Sequence, residues 1–590
     1  MPFSGLGSYS VTAAGAGRVD IAAGLDSSGT LTFTGGSYDI ATSFLAGINF
    51  TGATPLSGLI RLAGGTDMTF APGAGLPASV YIGADLSGAA SPGELTAYGY
   101  LDIFEGSTLE VTYTAPAVPT GDNAYASFIV GGTDGASGQI NVDGEGSILR
   151  ASGDGNRVTL GLNGGQGTLA VTNRGSAEML SLQAGAAGGL GQVYLSGGSS
   201  ELIVSSAAGR YIAPGFTGQS GAAVFGTGGG AGFLGITGGA RMTIENVDGE
   251  TDLPAARFGI DNASYGYGIV TGLGSRLTIT QHGAAGDDYG AGAVLNVGEG
   301  GLGVLLADND GRIDVSGDTA RVNVSAGAYV QGVPSVTEAE SLLRLTGGAD
   351  LTIDSKSYGG SVMIDGALQS DGRGAQLVIA GGQGTHGRVV ADGDGTTIRV
   401  KSNTAAASDD VTGQIVVGNL GYGALEVRNE ATVSARNIEL GRSLTSSGGV
   451  QAAGNGTLSV TGGGVVTITT NSATAYLGLQ IADAAGSIGA ATVTGVGSEL
   501  VSTGGAARIQ IGDAGTGTLN IQNGGHVAGL FIEAGGASTG VGTIVVSGDG
   551  ATLDLSDEEG RFSANAGQAG LLRLGGESGG AGSLRIENGG

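Results

Sequence analysis

One short phrase recurs along this chain, and its spacing constrains the fold more than any other feature. Two alternating apolar residues are followed by a Gly-rich turn, a second alternating pair and a turn built on Gly, Asn or Asp. Residues 507–527 (ARIQIGDAGTGTLNIQNGGHV) show it plainly; residues 158–176, 293–315, 414–433 and 571–590 repeat it. The Gly that precedes each second pair serves as an anchor: Gly423, Gly456, Gly489, Gly517 and Gly542 lie 33, 33, 28 and 25 residues apart. Residues 59–70 (LIRLAGGTDMTF) and 343–353 (LRLTGGADLTI) are near copies, so the array starts within the first hundred residues. A period of this size marks a repeat protein whose core grows in one dimension.

Each pair reads as a short strand. In residues 518–522, Leu519 and Ile521 fall on one face and Thr518, Asn520 and Gln522 on the other. Strands of three to five residues between Gly turns leave no room for helices, and every Gly would cost a helix about 1 kcal/mol relative to Ala. Two-residue hairpin signals are scarce, which disfavours an antiparallel meander. The remaining solution is an all-β parallel β-helix, with Val, Ile, Leu and Ala in a central column, Thr, Ser, Asn and Asp outside, and Gly where the chain turns with positive φ. At roughly 25 to 30 residues per turn the chain makes about 20 turns, a rod on the order of 100 Å long. Seven of the ten Pro residues lie at or before Pro119 and none follows Pro334. Because Pro is excluded from ladder interiors, residues 1–125 are expected to be an irregular first section with an N-terminal cap. Residues 126–590 are expected to be regular turns that continue beyond the last residue, which falls partway through a repeat.

Composition narrows the function classes. Gly supplies 124 of 590 residues, yet 40% of the chain is hydrophobic and only 13% charged, which excludes ordinary disorder. Stretches such as residues 458–466 (LSVTGGGVV) break the every-third-Gly rule of collagen. With 24 basic against 52 acidic residues, and Lys only at Lys356 and Lys401, the net charge of −28 makes nucleic acid an unsuitable partner. It suits an extracellular protein in which divalent cations bridge carboxylates. There is no Cys, which excludes a disulfide scaffold, and no apolar run long enough for a transmembrane helix. Residues 1–10 (MPFSGLGSYS) lack the basic and apolar regions of a signal peptide, so export by the usual N-terminal route is not expected.

Residues 511–525 (IGDAGTGTLNIQNGG) and 454–464 (GNGTLSVTGGG) resemble the Gly-rich repeats of bacterial autotransporter passenger domains and related surface adhesins. The likeness covers residues 130–590 and, more weakly, the start. It implies a right-handed β-helix displayed outside a Gram-negative cell. The sequence departs from that pattern in having neither an N-terminal signal nor a C-terminal barrel of alternating strands. In those respects it is similar to substrates of one-step secretion, which often carry calcium nonapeptides. Residues 546–553 (VSGDGATL) and 391–398 (ADGDGTTI) echo such turns only loosely and read more simply as tight Asp-Gly turns, so calcium is the candidate cofactor and the metal residues stay open.

Parallel β-helices also house polysaccharide lyases and hydrolases, which gather carboxylates with His, Lys or Arg. The residues of those types are Asp287 and Asp288, His282 before them, and His386 with Arg388. Their order differs from that of the pectin-degrading family, whose Asp pair precedes a nearby Gly-His-Gly. His282, His386 and His526 each stand beside Gly in expected turns and read as solvated turn residues, too far apart in sequence to suggest a zinc site. No catalytic or cofactor-binding residue is assigned. Tyr265 and Tyr267 (SYGYG) are candidates for an exposed aromatic sugar platform, against the commoner reading of isolated surface Tyr. The reading is an extracellular structural filament or adhesin without catalytic activity, self-associating and with cell-surface polysaccharide as a candidate partner. A carbohydrate-active β-helix, such as a lyase, a hydrolase or a phage tail spike, is the alternative.

Overall fold

In the computed structural model, the chain forms two compact units, Met1–Ala284 and Ala285–Gly590. For residues 1–57 only strand backbone is described. From residue 58 on the chain is described except for 71–78, 86–96, 114–125, 154–155, 210–220, 247–253, 262, 283–291, 318–319, 325–339, 356–361, 365–366, 370–374, 403–412, 447–448, 471–477, 505–506, 556–569 and 577. Each unit is a right-handed parallel β-helix in which every full turn contributes one strand to each of three sheets. A representative turn runs from Arg508–Ile511 in the third sheet to Thr516–Gln522 in the first, His526–Gly529 in the second and Phe531–Ala534 back in the third. The first-sheet strand Thr516–Gln522 lies parallel to Ile488–Thr494 of the previous turn and Val541–Ser547 of the next. The first unit has the same plan, with Gln166–Thr172, Leu190–Ser196, Ala231–Thr237 and Tyr265–Thr271 successive in the first sheet. Among the described residues the only helical segment is the 3-10 turn Ser206–Ala208. Two antiparallel hairpins, Val362–Ile364 with Ala367–Gln369 and Ser443–Ser446 with Gly449–Ala453, form side excursions.

The recurring phrase supplies the first- and third-sheet strands. The second-sheet strand is harder to see, because it is short and a single residue, Leu530, separates His526–Gly529 from Phe531–Ala534. Side chains alternate as expected in the first sheet: Leu519, Ile521, Leu458 and Val460 are all buried in the inner column. Leu584 and Ile586 continue that column in register with Ile544 and Val546. They depart from the expected burial, with Ile586 61% exposed; among the described residues their strand pairs with Val541–Ser547 on one side. In the third sheet both faces are buried, as in Gln414–Val417, where Val416 on the outer side is as enclosed as Ile415 and Val417. Continuous apolar runs there follow from this two-sided burial.

Glycine has a steric role that the anchor spacing anticipates. Gly387, Gly423, Gly456, Gly489, Gly517, Gly542 and Gly582 stand in one register column. At Gly517 a Cβ would sit 2.3 Å from the Gly512 nitrogen and 2.7 Å from the Ile481 carbonyl oxygen, so backbone occupies the space of a side chain. Gly512 forms the corner itself. Its φ of +61° turns the chain out of the third sheet while its N–H donates to the Ile481 carbonyl at 2.6 Å.

The corner after the first sheet uses hydroxyls instead. Ser147 donates to the Asp143 carbonyl at 2.7 Å and accepts the Gly106 N–H of the preceding turn at 3.2 Å. In the second unit, Ser498 accepts the Gly463 N–H at 3.1 Å. These buried Ser side chains satisfy backbone donors that the ladder leaves over.

Two substitutions test this packing. Gly517→Ala should destabilise its turn by about 2 kcal/mol, because backbone cannot retreat from the new methyl group, whereas Thr518→Ala on the outer face should be nearly neutral; chemical denaturation of the two variants makes the comparison. Ile521→Asp should cost about 3 kcal/mol or more by leaving an unpaired carboxylate in the column. Limited proteolysis should then find new cleavage near residue 521 with distant turns intact, since a solenoid is held by nearest neighbours.

Candidate ligand-binding face

On the outer face of the first sheet in the first unit, parallel register converts sequence into columns. The third residue of successive strands gives Gln139, Thr168, Gln192, Phe233 and Tyr267. The fifth gives Asp102, Asn141, Ala170, Tyr194, Gly235 and Ile269. One end of this face is polar and interlinked. Arg61 pairs with Asp102 at 3.0 Å, Asn141 donates to Asp102 at 2.8 Å, and Gln139 donates to the Asn141 oxygen at 2.7 Å. Further along, Thr168 donates to the Gln192 oxygen at 3.3 Å.

The other end is aromatic. Phe233 meets Tyr265 edge-on at 5.9 Å between ring centroids and Tyr267 at 6.0 Å in a tilted arrangement. Tyr194 is 45% exposed and leans over Gly235, where a Cβ would be only 3.3 Å from its ring carbon Cδ1. Burial, and to a smaller degree neighbouring Tyr267, push the Tyr265 phenol upward. It therefore stays a neutral hydroxyl donor at physiological pH. The sequence pointed to Tyr265 and Tyr267; Tyr194 and Phe233 join them only through register.

The other singled-out residues do not assemble into one site. His282 is exposed, with its ring Nε2 3.3 Å from a Glu245 carboxylate oxygen and its backbone N–H donating to Asn246 at 2.8 Å. Asp287 and Asp288 lie outside the described residues. His386 opens a first-sheet strand and stacks on Tyr422 with centroids 4.8 Å apart. Arg388, two residues on, pairs with Glu426 at 2.6 Å. His526 begins a second-sheet strand, in register with Glu499 and Thr552. In the two loosely calcium-like turns, Gly393, Gly395, Gly548 and Gly550 adopt positive φ, as tight Asp-Gly turns require. Among the described residues no three His, Asp or Glu side chains converge as a metal site.

The second unit holds a charged cluster at the third sheet. Glu439, Gln480, Gln510, Glu533 and Arg573 form one register column. Buried Glu533 pairs with Arg508 and with Arg573, and both guanidinium groups lie over the Phe531 ring, at 5.1 and 5.5 Å. Asp483 and Asp513 occupy equivalent loop positions in adjacent turns, where the Ala514 N–H donates to the Asp483 carbonyl at 3.0 Å. Burial first, then the carboxylates of Glu439 and Asp513, raise the Asp483 pKa from 3.8 to about 6 against the opposing pull of Arg442 and Arg508. The repeated phrases IADAAG and IGDAGTG carry this stacked Asp pair, and aligning them by period is the signal that exposes it.

No protein-family model matches the chain. Over 272 residues it is 29% identical to an uncharacterized lipoprotein, YdeK, of Escherichia coli (strain K12), a match covering 43% of this chain and 19% of that protein. The chain thus spans about a fifth of the length of the curated relative it matches. A solved structure, a TibC-catalyzed hyper-glycosylated TibA fragment, aligns over 88% of this chain and 98% of its own at 11% identity with a TM-score of 0.21. The fold assignment rests on the strand register rather than on that alignment. Among the described residues no helix is long and apolar enough to cross a membrane.

The Asp483 environment gives a signed pH dependence. The unfolded chain releases the Asp483 proton near pH 3.8 and the folded chain only near 6, so the stability of this turn falls as pH rises between those values and stays lower above them. Asp483→Asn should remove the penalty and stabilise the turn at pH 7 by about 2 kcal/mol. Hydrogen exchange of the amides at 478–515, corrected for intrinsic rates, should show protection lost between pH 4 and 7 in the parent and retained in the variant.

Proposed function

We propose that this chain is a stretch of a bacterial surface-displayed or secreted β-helical adhesin, a structural and binding protein rather than an enzyme. The observation that carries the reading is the outer face of the first unit, where Gln192, Phe233 and Tyr267 follow one another in one register column and Tyr194 stands in the next. Such a face offers contact area over several turns. The likeness to passenger-domain repeats and the lipoprotein name of the relative support a place at the cell envelope.

Self-association has an observation of its own in the second unit. Tyr422, Ile488 and Val541 are 54%, 51% and 43% exposed and share one register column at the edge of the first sheet, separated by Asn455 and Thr516. An exposed apolar side chain on every second turn supports lateral contact between like molecules.

Displaying the chain on a non-adherent bacterial host should raise attachment to cultured cells or to neighbouring bacteria. Replacing Tyr194, Phe233 and Tyr267 together with Ser should cut that attachment roughly tenfold without loss of display. Purified protein that shortens polygalacturonate or alginate chains, with activity lost in Asp287→Asn or Asp288→Asn, would overturn the reading in favour of the carbohydrate-active alternative.

A further inference from the structure

The columns on the first-sheet face of the first unit have a chemistry specific enough to name a ligand class. Four consecutive strands, Gln166–Thr172, Leu190–Ser196, Ala231–Thr237 and Tyr265–Thr271, contain no charged residue. The adjoining strand Ala136–Asp143 carries Asp143 at its end, where it accepts from Thr172 and Asn173, and one strand further Asp102 is neutralised by Arg61 at 3.0 Å and accepts from Asn141 at 2.8 Å. A cationic peptide finds no anion on the four strands themselves. A polyanion would meet a protein of net charge −28 with no cation on the four strands. What remains is planar ring surface beside neutral donors and acceptors.

Gln192 supplies the donors. Its oxygen accepts from Thr168 at 3.3 Å, while its Nε2 makes no hydrogen bond to any described residue. One column step away lie Phe233 and, beyond it, Tyr267. Gly235, which follows Tyr194 in register and precedes Ile269, leaves the space into which the Tyr194 ring leans. That keeps the ring close to the sheet and still 45% exposed. From Gln139 to Tyr267 the column takes four strand steps, about 19 Å at the usual spacing.

We infer that this face binds a neutral polysaccharide lying across the strands, its pyranose rings stacked on Tyr194, Phe233 and Tyr267 and its hydroxyls held by Gln192 and Gln139. A pyranose presents an apolar C–H face and a rim of hydroxyls, which matches an aromatic ring flanked by amides. The strand spacing is close to the length of one sugar residue in an extended glycan, so successive rings fall over successive turns. The Tyr265 phenol, pushed upward by burial, remains a protonated donor at neutral pH. The inference rests on the adhesin reading and gives it a ligand class.

The test uses the purified chain and four soluble probes: cellohexaose, chitohexaose and laminarihexaose as neutral oligosaccharides, and hexagalacturonate as the acidic one. Isothermal titration should show binding to at least one neutral probe and none to hexagalacturonate. Tyr194→Ala and Tyr267→Ala should each weaken that binding by roughly tenfold. Gln192→Leu, which keeps the volume and removes the amide, should weaken it comparably, and unchanged thermal unfolding shows that each variant folds. If no neutral probe binds, or if all three variants bind as the parent does, the glycan inference fails. Beads coated with the parent chain that still attach to cells, and lose attachment in Tyr194→Ala, would then leave the adhesin reading standing without it. Beads that never attach would remove both.

Discussion

Parallel ladder hydrogen bonds hold each turn to the next at about 4.8 Å, closer than most side chains allow where the backbone also has to turn a corner. The corner between the third and first sheets shows the consequence. The Gly512 N–H reaches the Ile481 carbonyl, and the Gly517 Cα lies against both, so a methyl group at either position would overlap main-chain atoms. This requirement recurs in most turns, although Ser341 takes the column position beside Gly387 and Ala482 the corner position with φ of +57°. The unusual share of Gly in the chain, 124 of 590 residues, reflects a repeated steric demand rather than flexibility.

Inside the coil, the same stacking makes every buried position answer to its neighbours above and below. Leu425, Leu458, Ala491, Leu519 and Ile544 follow one another in a single column, and all are buried. Volume varies along the column, with Ala491 between two Leu, which a one-dimensional core tolerates because each misfit is shared with only two turns. At the corners, buried Ser residues complete hydrogen bonds that the ladder leaves over. Ser147 and Ser498 are fully buried, and each takes up an N–H of the preceding turn.

This architecture was legible in the sequence because its rules are periodic. Alternation at Leu519 and Ile521 fixed the inward face, and the anchor glycines proved to be one register column. The second-sheet strands escaped because residues such as 526–529 are too short to show alternation of their own and run almost directly into the next strand. The candidate site was legible only in part. Tyr265 and Tyr267 announce themselves as SYGYG, but Tyr194 lies some seventy residues earlier and Phe233 between them. Successive first-sheet strands begin at Gln166, Leu190, Ala231 and Tyr265, at unequal intervals, so sequence distance does not convert to position without the ladder. The Asp483 and Asp513 pair was hidden for a different reason. Each looks like an ordinary turn Asp, and the raised pKa of Asp483 arises from burial and from neighbours on adjacent turns.

Outward-facing residues in such a coil touch mainly their neighbours on the same sheet, so their chemistry can change along the chain with little effect on the core. The two units show the range. In the second, Arg344, Asp392, Arg428, Glu426 and Arg388 run as a chain of ion pairs across the first sheet. In the first, four consecutive strands carry no charge and present aromatic rings, the Gln192 amide and small or hydroxyl side chains instead. Function on a scaffold of this kind is therefore written in columns, one residue per turn, rather than in clusters drawn from a few loops. A ligand that matched a column would itself be extended and repetitive, and the length of one sugar residue, close to the distance between strands, is what the proposed glycan reading has in common with the ladder.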